Sequence, residues 1–200
     1  MSLEISLAFI LFPYLLGAIP FGYILTKFYT GENIMELGSG NVGSTNVKRV
    51  AGKRIAIITQ VFDMLKGFLP VALYLFIFNN QQNGSSFFIY YIAISSIVGH
   101  DFSVFLKFKG GKGVNTTLGA SLLLAPYSVL VAVVFYLIVK WKFNYVSLGS
   151  IVLACALPLV ELIINGLGPG FYYLLVCMAL IVLLHKKNII RLLNNIEPSS

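Results

Sequence analysis

Three polar segments interrupt an otherwise apolar chain, and each carries residue types suited to holding an anion. The first reads Leu37-Gly38-Ser39-Gly40-Asn41-Val42-Gly43-Ser44-Thr45-Asn46-Val47-Lys48-Arg49. Its glycines let a loop present successive backbone N–H groups, and a helix that follows adds the positive end of its dipole. Ser39, Asn41, Thr45 and Asn46 add donors, and Arg49 supplies a bidentate clamp for an oxyanion. A helix cap needs one such side chain; this density points to anion binding.

The second segment runs from Gly99-His100-Asp101-Phe102 into Lys107-Phe108-Lys109-Gly110-Gly111-Lys112-Gly113-Val114-Asn115-Thr116. It reads as another phosphate cradle ahead of a helix, with Lys109 and Lys112 supplying charge. It is not a nucleotide P-loop, because no Gly stands five residues before a Gly-Lys-Ser/Thr. The third is His185-Lys186-Lys187-Asn188-Ile189-Ile190-Arg191. The spacing predicts His185, Asn188 and Arg191 on one face of a helix. A histidine there serves as a base, an asparagine as an orienting donor and an arginine as a clamp. Lys186 and Lys187 read as interfacial.

Absences narrow the chemistry. The carboxylates are scattered, and with two histidines no metal site is expected. There is no Gly-x-Ser-x-Gly elbow. Neither histidine is followed five residues later by Asp, so the His-x4-Asp arrangement of thioester-using glycerolipid acyltransferases is missing. The remaining reading is two oxyanionic groups bound near lipid, without a cofactor or a covalent nucleophile.

The elements that must position these segments follow from composition. Of 200 residues, 58% are hydrophobic and only 10% charged, and the mean hydropathy is +0.89. A soluble domain is about 25% charged, so a soluble enzyme, a disordered chain and a disulfide scaffold are all excluded. The expected fold is an all-α polytopic membrane protein, one domain over 1–200: a seven-helix transmembrane bundle with two short helices. Apolar runs at 5–28, 55–78, 87–106 and 114–139 are each long enough to cross a core that needs about 20 residues. The run at 143–184 is broken by Pro158 and by Gly166-Leu167-Gly168-Pro169-Gly170. It is read as two short helices, 144–156 and 158–166, forming a hairpin, followed by a longer helix from Pro169 to about Asn194. Cys155 and Cys177, in apolar runs, read as packing residues. Asp63 and Lys66 are expected to pair, Ser147 and Ser150 to pack, and Glu161 has no evident role.

Net charge is +7, from 14 basic and 7 acidic residues. Lys27, Lys48, Arg49, Lys53 and Arg54 flank the first connection and three lysines the third, whereas the connection 79–86 carries no charge. The positive-inside rule puts the N-terminus outside and, with the hairpin, the C-terminus in the cytoplasm. Only Lys140 and Lys142 then lie outside, a split of 12 to 2 with Lys66 counted inside, against 9 to 5 for the alternative of six spans with the tail outside. The three polar segments fall together on the inner side.

At these segments the chain resembles the bacterial acyl-phosphate:glycerol-3-phosphate acyltransferase family (PlsY). That family has a Ser-Gly-Asn-x-Gly-Ala-Thr-Asn segment, a Gly-His-x-Phe segment running into Lys-Phe-Lys-Gly-Gly-Lys-Gly-Val-Ala-Thr, and a His-x-x-Asn-Ile-x-Arg-Leu segment ending in Glu. They match residues 39–46, 99–116 and 185–197 in order and spacing. Departures are Ser44 and Asn115 for Ala, and Asn195 for Gly. The resemblance implies transfer of a fatty acyl group from acyl phosphate to the 1-hydroxyl of sn-glycerol 3-phosphate, in phospholipid synthesis at a bacterial plasma membrane. It implies substrate binding by Lys107, Lys109, Gly110, Gly111, Lys112, Gly113 and Thr116, together with Gly40, Asn41, Thr45 and Asn46 of the first motif. Ser39, Arg49, His185 and Asn188 are the implied catalytic set. Ser147 matches a further active-site serine over a short stretch, and Glu197 reads as a partner for a cation. The expected partners are the two substrates and membrane lipid, with no nucleic acid; the oligomeric state is left open, a monomer included. Two other classes fit the loops alone: an organic-phosphate transporter, which predicts polar residues along a path through the bundle, and a subunit that binds lipid headgroups, which would not need His185 and Asn188 in register.

Overall fold

The computed structural model describes residues 3–78 and 87–199. The uncharged connection 79–86 lies outside the described residues. Every regular element described is helical. Among the described residues, five helices are long and apolar enough to cross a membrane, or six if one bent pair counts as a single span. This is the expected all-helical, multi-span membrane protein. The chain groups into two compact units, residues 1–123 and 124–200.

The first unit contains α1 (Leu3–Ala18), α2 (Phe21–Thr30), α3 (Ser44–Phe78), α4 (Phe88–Asp101) and α5 (Val114–Ser121). The apolar run 5–28 is not one straight helix: Pro20 has no N–H to give, and the chain breaks between α1 and α2. The carbonyls left over do not go unpaired. Ser103 Oγ donates to Ala18 O at 2.6 Å and Lys66 Nζ to Ile19 O at 3.0 Å. Such compensation is what allows a break in a segment that passes through lipid. In α3 the break is at Gly52, whose φ of 84° and ψ of 173° suit only glycine. It divides a basic first part, 44–51, from an apolar second part, 53–78.

Glycines set the helix crossings. A Cβ at Gly17 would stand 2.0 Å from Ser96 O, and one at Gly99 would stand 2.2 Å from Tyr14 O, so α1 and α4 touch backbone to backbone at two levels. The pair α3 and α5 repeats the device, Gly67 against Thr116 O at 2.2 Å and Gly119 against Met64 O at 1.9 Å. Close approach at small residues is how helices associate where no hydrophobic effect drives them together. Ser95 Oγ to Ile10 O at 2.6 Å and Ser96 Oγ to Lys66 O at 2.7 Å add polar ties.

The second unit contains α6 (Pro126–Phe143), α7 (Val146–Asn165), α8 (Pro169–Leu184) and α9 (Lys186–Leu193). Three sequence expectations change. The run 114–139 is not one span: the helix stops ahead of Pro126, which starts α6 at its first turn. The hairpin at 144–166 is not formed, because α7 continues through Pro158 as one helix of 20 residues. The proline is buried, and the residue four positions earlier, whose carbonyl its ring crowds, is the small Ala154. The helix from Pro169 to Asn194 is bent by 59° at His185 into α8 and α9. The hairpin supplied the odd number of crossings that carried the tail inward, and without it the expected orientation loses that support.

Glu161 does have a role. It is buried, and its carboxylate accepts from Ser128 Oγ at 2.6 Å and Asn165 Nδ2 at 2.9 Å. A Cβ at Gly170 would lie 2.8 Å from Glu161 Oε1. One carboxylate thus ties α6 to α7 against the first turn of α8, where the helix dipole favours negative charge.

Candidate active site

In the first unit the structure joins the first two polar segments. The loop 37–43 turns on Gly38 and Gly40, both left-handed at φ 58° and 70°. Asn46 holds it from behind. Its Oδ1 accepts from Ser39 N at 3.0 Å, and its Nδ2 donates to Leu37 O and Asn41 O at 3.0 Å and to Ile34 O at 3.4 Å. Asn46 is 2% exposed, so its amide is spent on the loop's own backbone instead of on a ligand. Asn41 works in two directions. Its Oδ1 accepts from Gly43 N at 2.9 Å, and its Nδ2 donates to Gly110 O at 3.2 Å in the second loop. Asn115 Nδ2 donates back to Ser44 Oγ at 3.3 Å. Ser44 and Asn115 are two of the three departures from the family pattern, and here they meet. The two glycine loops therefore form one surface. Ser39, Arg49, Lys107 and Lys109 are exposed; Gly40, Thr45, Gly110 and Lys112 are partly so.

The second loop carries backbone strain. Lys107 and Phe108 are both left-handed, at φ 53° and 61°. Non-glycine residues in that region cost energy and gather at functional sites. Phe108 N donating to Ser103 O at 2.8 Å and Lys109 N to Leu106 O at 3.1 Å hold the turn. Gly113, at φ 72°, starts α5. Thr116, expected among the binding residues, is fully buried at the α3–α5 crossing and does not reach the loop surface.

Beneath this loop lies a cluster that the sequence only half revealed. Asp63 and Lys66 pair at 2.9 Å, as their spacing predicts. His100 Nδ1 stands 3.6 Å from the same carboxylate oxygen, and Asp101 lies beside Gly113. All four are buried. The only signal in the sequence was the rarity of charge at membrane depth.

In the second unit His185 is the hinge between α8 and α9. It is buried, and its Nδ1 lies 2.8 Å from Ile181 O. A carbonyl accepts only, so the proton sits on Nδ1 and Nε2 is the basic nitrogen. Helix α9 ends in a Schellman turn: Asn195 is left-handed at φ 56°, Asn195 N donates to Leu192 O and Ile196 N to Arg191 O. Gly or Asn suits that position, so the third departure from the family pattern keeps the turn. The turn sends the chain back over α9. Glu197 then accepts from Asn188 Nδ2 and from Arg191 Nε, each at 2.6 Å, and the Ser147 hydroxyl of α7 stands beside it. Burial alone would raise the Glu197 pKa. The hydrogen bonds of Arg191 and Asn188, the nearby Ser147 hydroxyl and the guanidinium charge outweigh that, and hold it below the usual carboxylate range. Ser147, Asn188 and Glu197 are thus brought to one place.

Comparison with known proteins identifies the family. A family model described as glycerol-3-phosphate acyltransferase matches residues 7–195. A glycerol-3-phosphate acyltransferase of Clostridium acetobutylicum is 43% identical over 92% of this chain and 94% of its own. Glycerol-3-phosphate acyltransferase 2 of Thermotoga maritima is 38% identical over 94% of each chain. The crystal structure of PlsY, an integral membrane glycerol 3-phosphate acyltransferase, in its glycerol 3-phosphate form superposes with a TM-score of 0.90 at 34% identity, covering 98% of this chain and 95% of that one. Its lysophosphatidic acid form superposes at 0.87. With residues 7–195 matched by the family model and relatives 43% and 38% identical over more than nine-tenths of its length, the chain belongs to the glycerol-3-phosphate acyltransferase family and is an integral membrane acyltransferase.

Proposed function

We propose that the protein transfers a fatty acyl group from acyl phosphate to the 1-hydroxyl of sn-glycerol 3-phosphate, releasing 1-acyl-sn-glycerol 3-phosphate and inorganic phosphate. The observation that carries this reading is the joined pair of glycine loops. They give one polar, basic surface with exposed Ser39, Arg49, Lys107 and Lys109, suited to phosphate groups. The solved relatives in glycerol 3-phosphate and lysophosphatidic acid forms support the acceptor and the product. The donor is what the resemblance of the three motifs to the acyl-phosphate-dependent family implies, and a mixed anhydride, whose leaving group is already good, suits a surface of anion-binding groups. The basic segments support a reaction on the cytoplasmic face of a bacterial plasma membrane.

In this reaction the acceptor hydroxyl oxygen bonds to the acyl carbon, the bond from that carbon to the phosphate oxygen breaks, and phosphate leaves with its electron pair. Arg49 and the first loop hold one phosphate, and Lys107, Lys109 and Lys112 with the second loop hold the other. Alignment of this kind is worth about 7–11 kcal/mol. His185 Nε2 takes the hydroxyl proton, and Asn188, set by Glu197, orients the reacting groups. Asn46 and Thr116 serve by shaping the loops. The test is purified protein with acyl phosphate and glycerol 3-phosphate, read as phosphate release at several pH values. Turnover is expected, with a pH profile that changes in His185→Gln. Turnover with an unchanged profile would give the proton to a substrate phosphate, whose second pKa is about 6. Absent turnover, with counterflow of glycerol 3-phosphate in liposomes, would make the protein a transporter.

A further inference from the structure

Gly110 and Gly111 do not need the conformational freedom of glycine. Neither has a positive φ, unlike Gly113, so an L-residue could adopt either backbone. What excludes a side chain lies beneath them. A Cβ at Gly110 would stand 2.0 Å from His100 O; one at Gly111 would stand 2.0 Å from His100 Nε2 and 2.5 Å from its Cε1. Gly111 N also donates to His100 O at 3.0 Å. The imidazole is itself fixed in place: Nδ1 faces Asp63 at 3.6 Å, Asp63 pairs with Lys66 at 2.9 Å, and Lys66 is tied to Ile19 O at 3.0 Å. His100 is 7% exposed, Asp63 and Lys66 2% each. An ionisable cluster this deep in a membrane protein is costly and marks function.

We propose that His100 is a positioning residue for the phosphate-binding loop. Its ring, beside the Asp63–Lys66 pair, is the seat on which Gly111 rests, while Gly110 lies against the backbone carbonyls of His100 and Asp101; together they fix the direction of the backbone N–H groups between Lys109 and Lys112. Glycine stands at 111 because of the imidazole below it, not because of a ligand above it. The inference rests on the reading that this loop takes the phosphate of the acceptor, and it adds the residue that sets the loop's geometry. Supporting shells of this kind decide whether a site is tight enough to work.

A double-mutant cycle separates the two causes. His100→Ala removes the seat and leaves the Asp63–Lys66 pair intact; Gly111→Ala adds the methyl group. Each single change is expected to raise the KM for glycerol 3-phosphate by about 10-fold with the KM for acyl phosphate unchanged. In the double variant the methyl has nothing to strike, so its KM is no higher than that of the worse single variant. Multiplying effects would overturn the proposal, because the methyl would then collide with the ligand. So would a fall in kcat with KM unmoved. Hydrogen exchange over 109–113 is measured on the same four proteins without substrate. Gly111→Ala is expected to speed exchange in the native background and to leave it unchanged in the His100→Ala background; equal acceleration in both overturns the proposal. If the unaltered protein releases no phosphate, the acyltransfer reading fails, and the exchange cycle still decides the role of His100.

Discussion

Replacing Glu197 by Gln removes one negative charge and nothing of the side chain's shape. In the native protein its two oxygens accept from Asn188 Nδ2 and Arg191 Nε at 2.6 Å each. A glutamine amide has a single oxygen, so its NH2 group must face one of those donors. One charge-assisted bond is lost, worth about 1.5–3 kcal/mol. Arg191 is 31% exposed and recovers part of that from water, whereas Asn188 at 6% does not. The lower end, about 1.5 kcal/mol, is therefore expected, close to tenfold in the equilibrium between a folded-back and a released tail. Hydrogen exchange across 186–197 should rise by about that factor, and steady-state phosphate release should show kcat down by up to the same factor. The charge also fixes the pH response. Because the folded-state pKa of Glu197 lies below its unfolded value, the clamp contributes fully above the ordinary glutamate range. It is lost as pH falls through the folded-state value. Tail exchange in the native protein should accelerate over that acid window, and in the Gln variant the window should vanish. Native kcat and native tail exchange in the variant would refute the idea that Glu197 orients Asn188.

Asn46→Ala strips four hydrogen bonds from the back of the first loop. It should cost about 3 kcal/mol in thermal unfolding in detergent and raise the KM for phosphate-bearing substrate. Gly99→Ala puts a methyl 2.2 Å from Tyr14 O; because backbone must move to admit it, at least about 1–3 kcal/mol of stability should be lost, and an unchanged melting temperature would contradict the α1–α4 contact. Gly52→Ala meets no neighbour within 4 Å, so its expected cost of about 1–3 kcal/mol comes from φ 84° alone. Activity should fall with it, since the bend carries the helix turn bearing Arg49.

Sequence alone determined the class of protein, its helical character and the identity of the polar segments. Those properties depend on totals and local spacing: too few charges to cover a soluble globule, runs long enough to cross lipid, and glycines and basic residues at fixed intervals. The Asp63–Lys66 pair was legible for the same reason, being one helical turn apart. Tertiary structure decided what local spacing cannot express. Pro20 and Pro126 stand where helices break, yet Pro158 lies inside one, because the outcome depends on what the surroundings offer the freed backbone groups and not on the proline alone. Asn46 and Thr116 look like binding residues beside a glycine loop, and tertiary structure buries both, Asn46 with its amide bonded to the loop's own backbone. Asn41 bonded to Gly110, and His100 lodged beneath Gly111, join residues far apart in the chain. Only packing brings such pairs within a few ångströms, and hydrogen bonds and steric contact act over no greater distance.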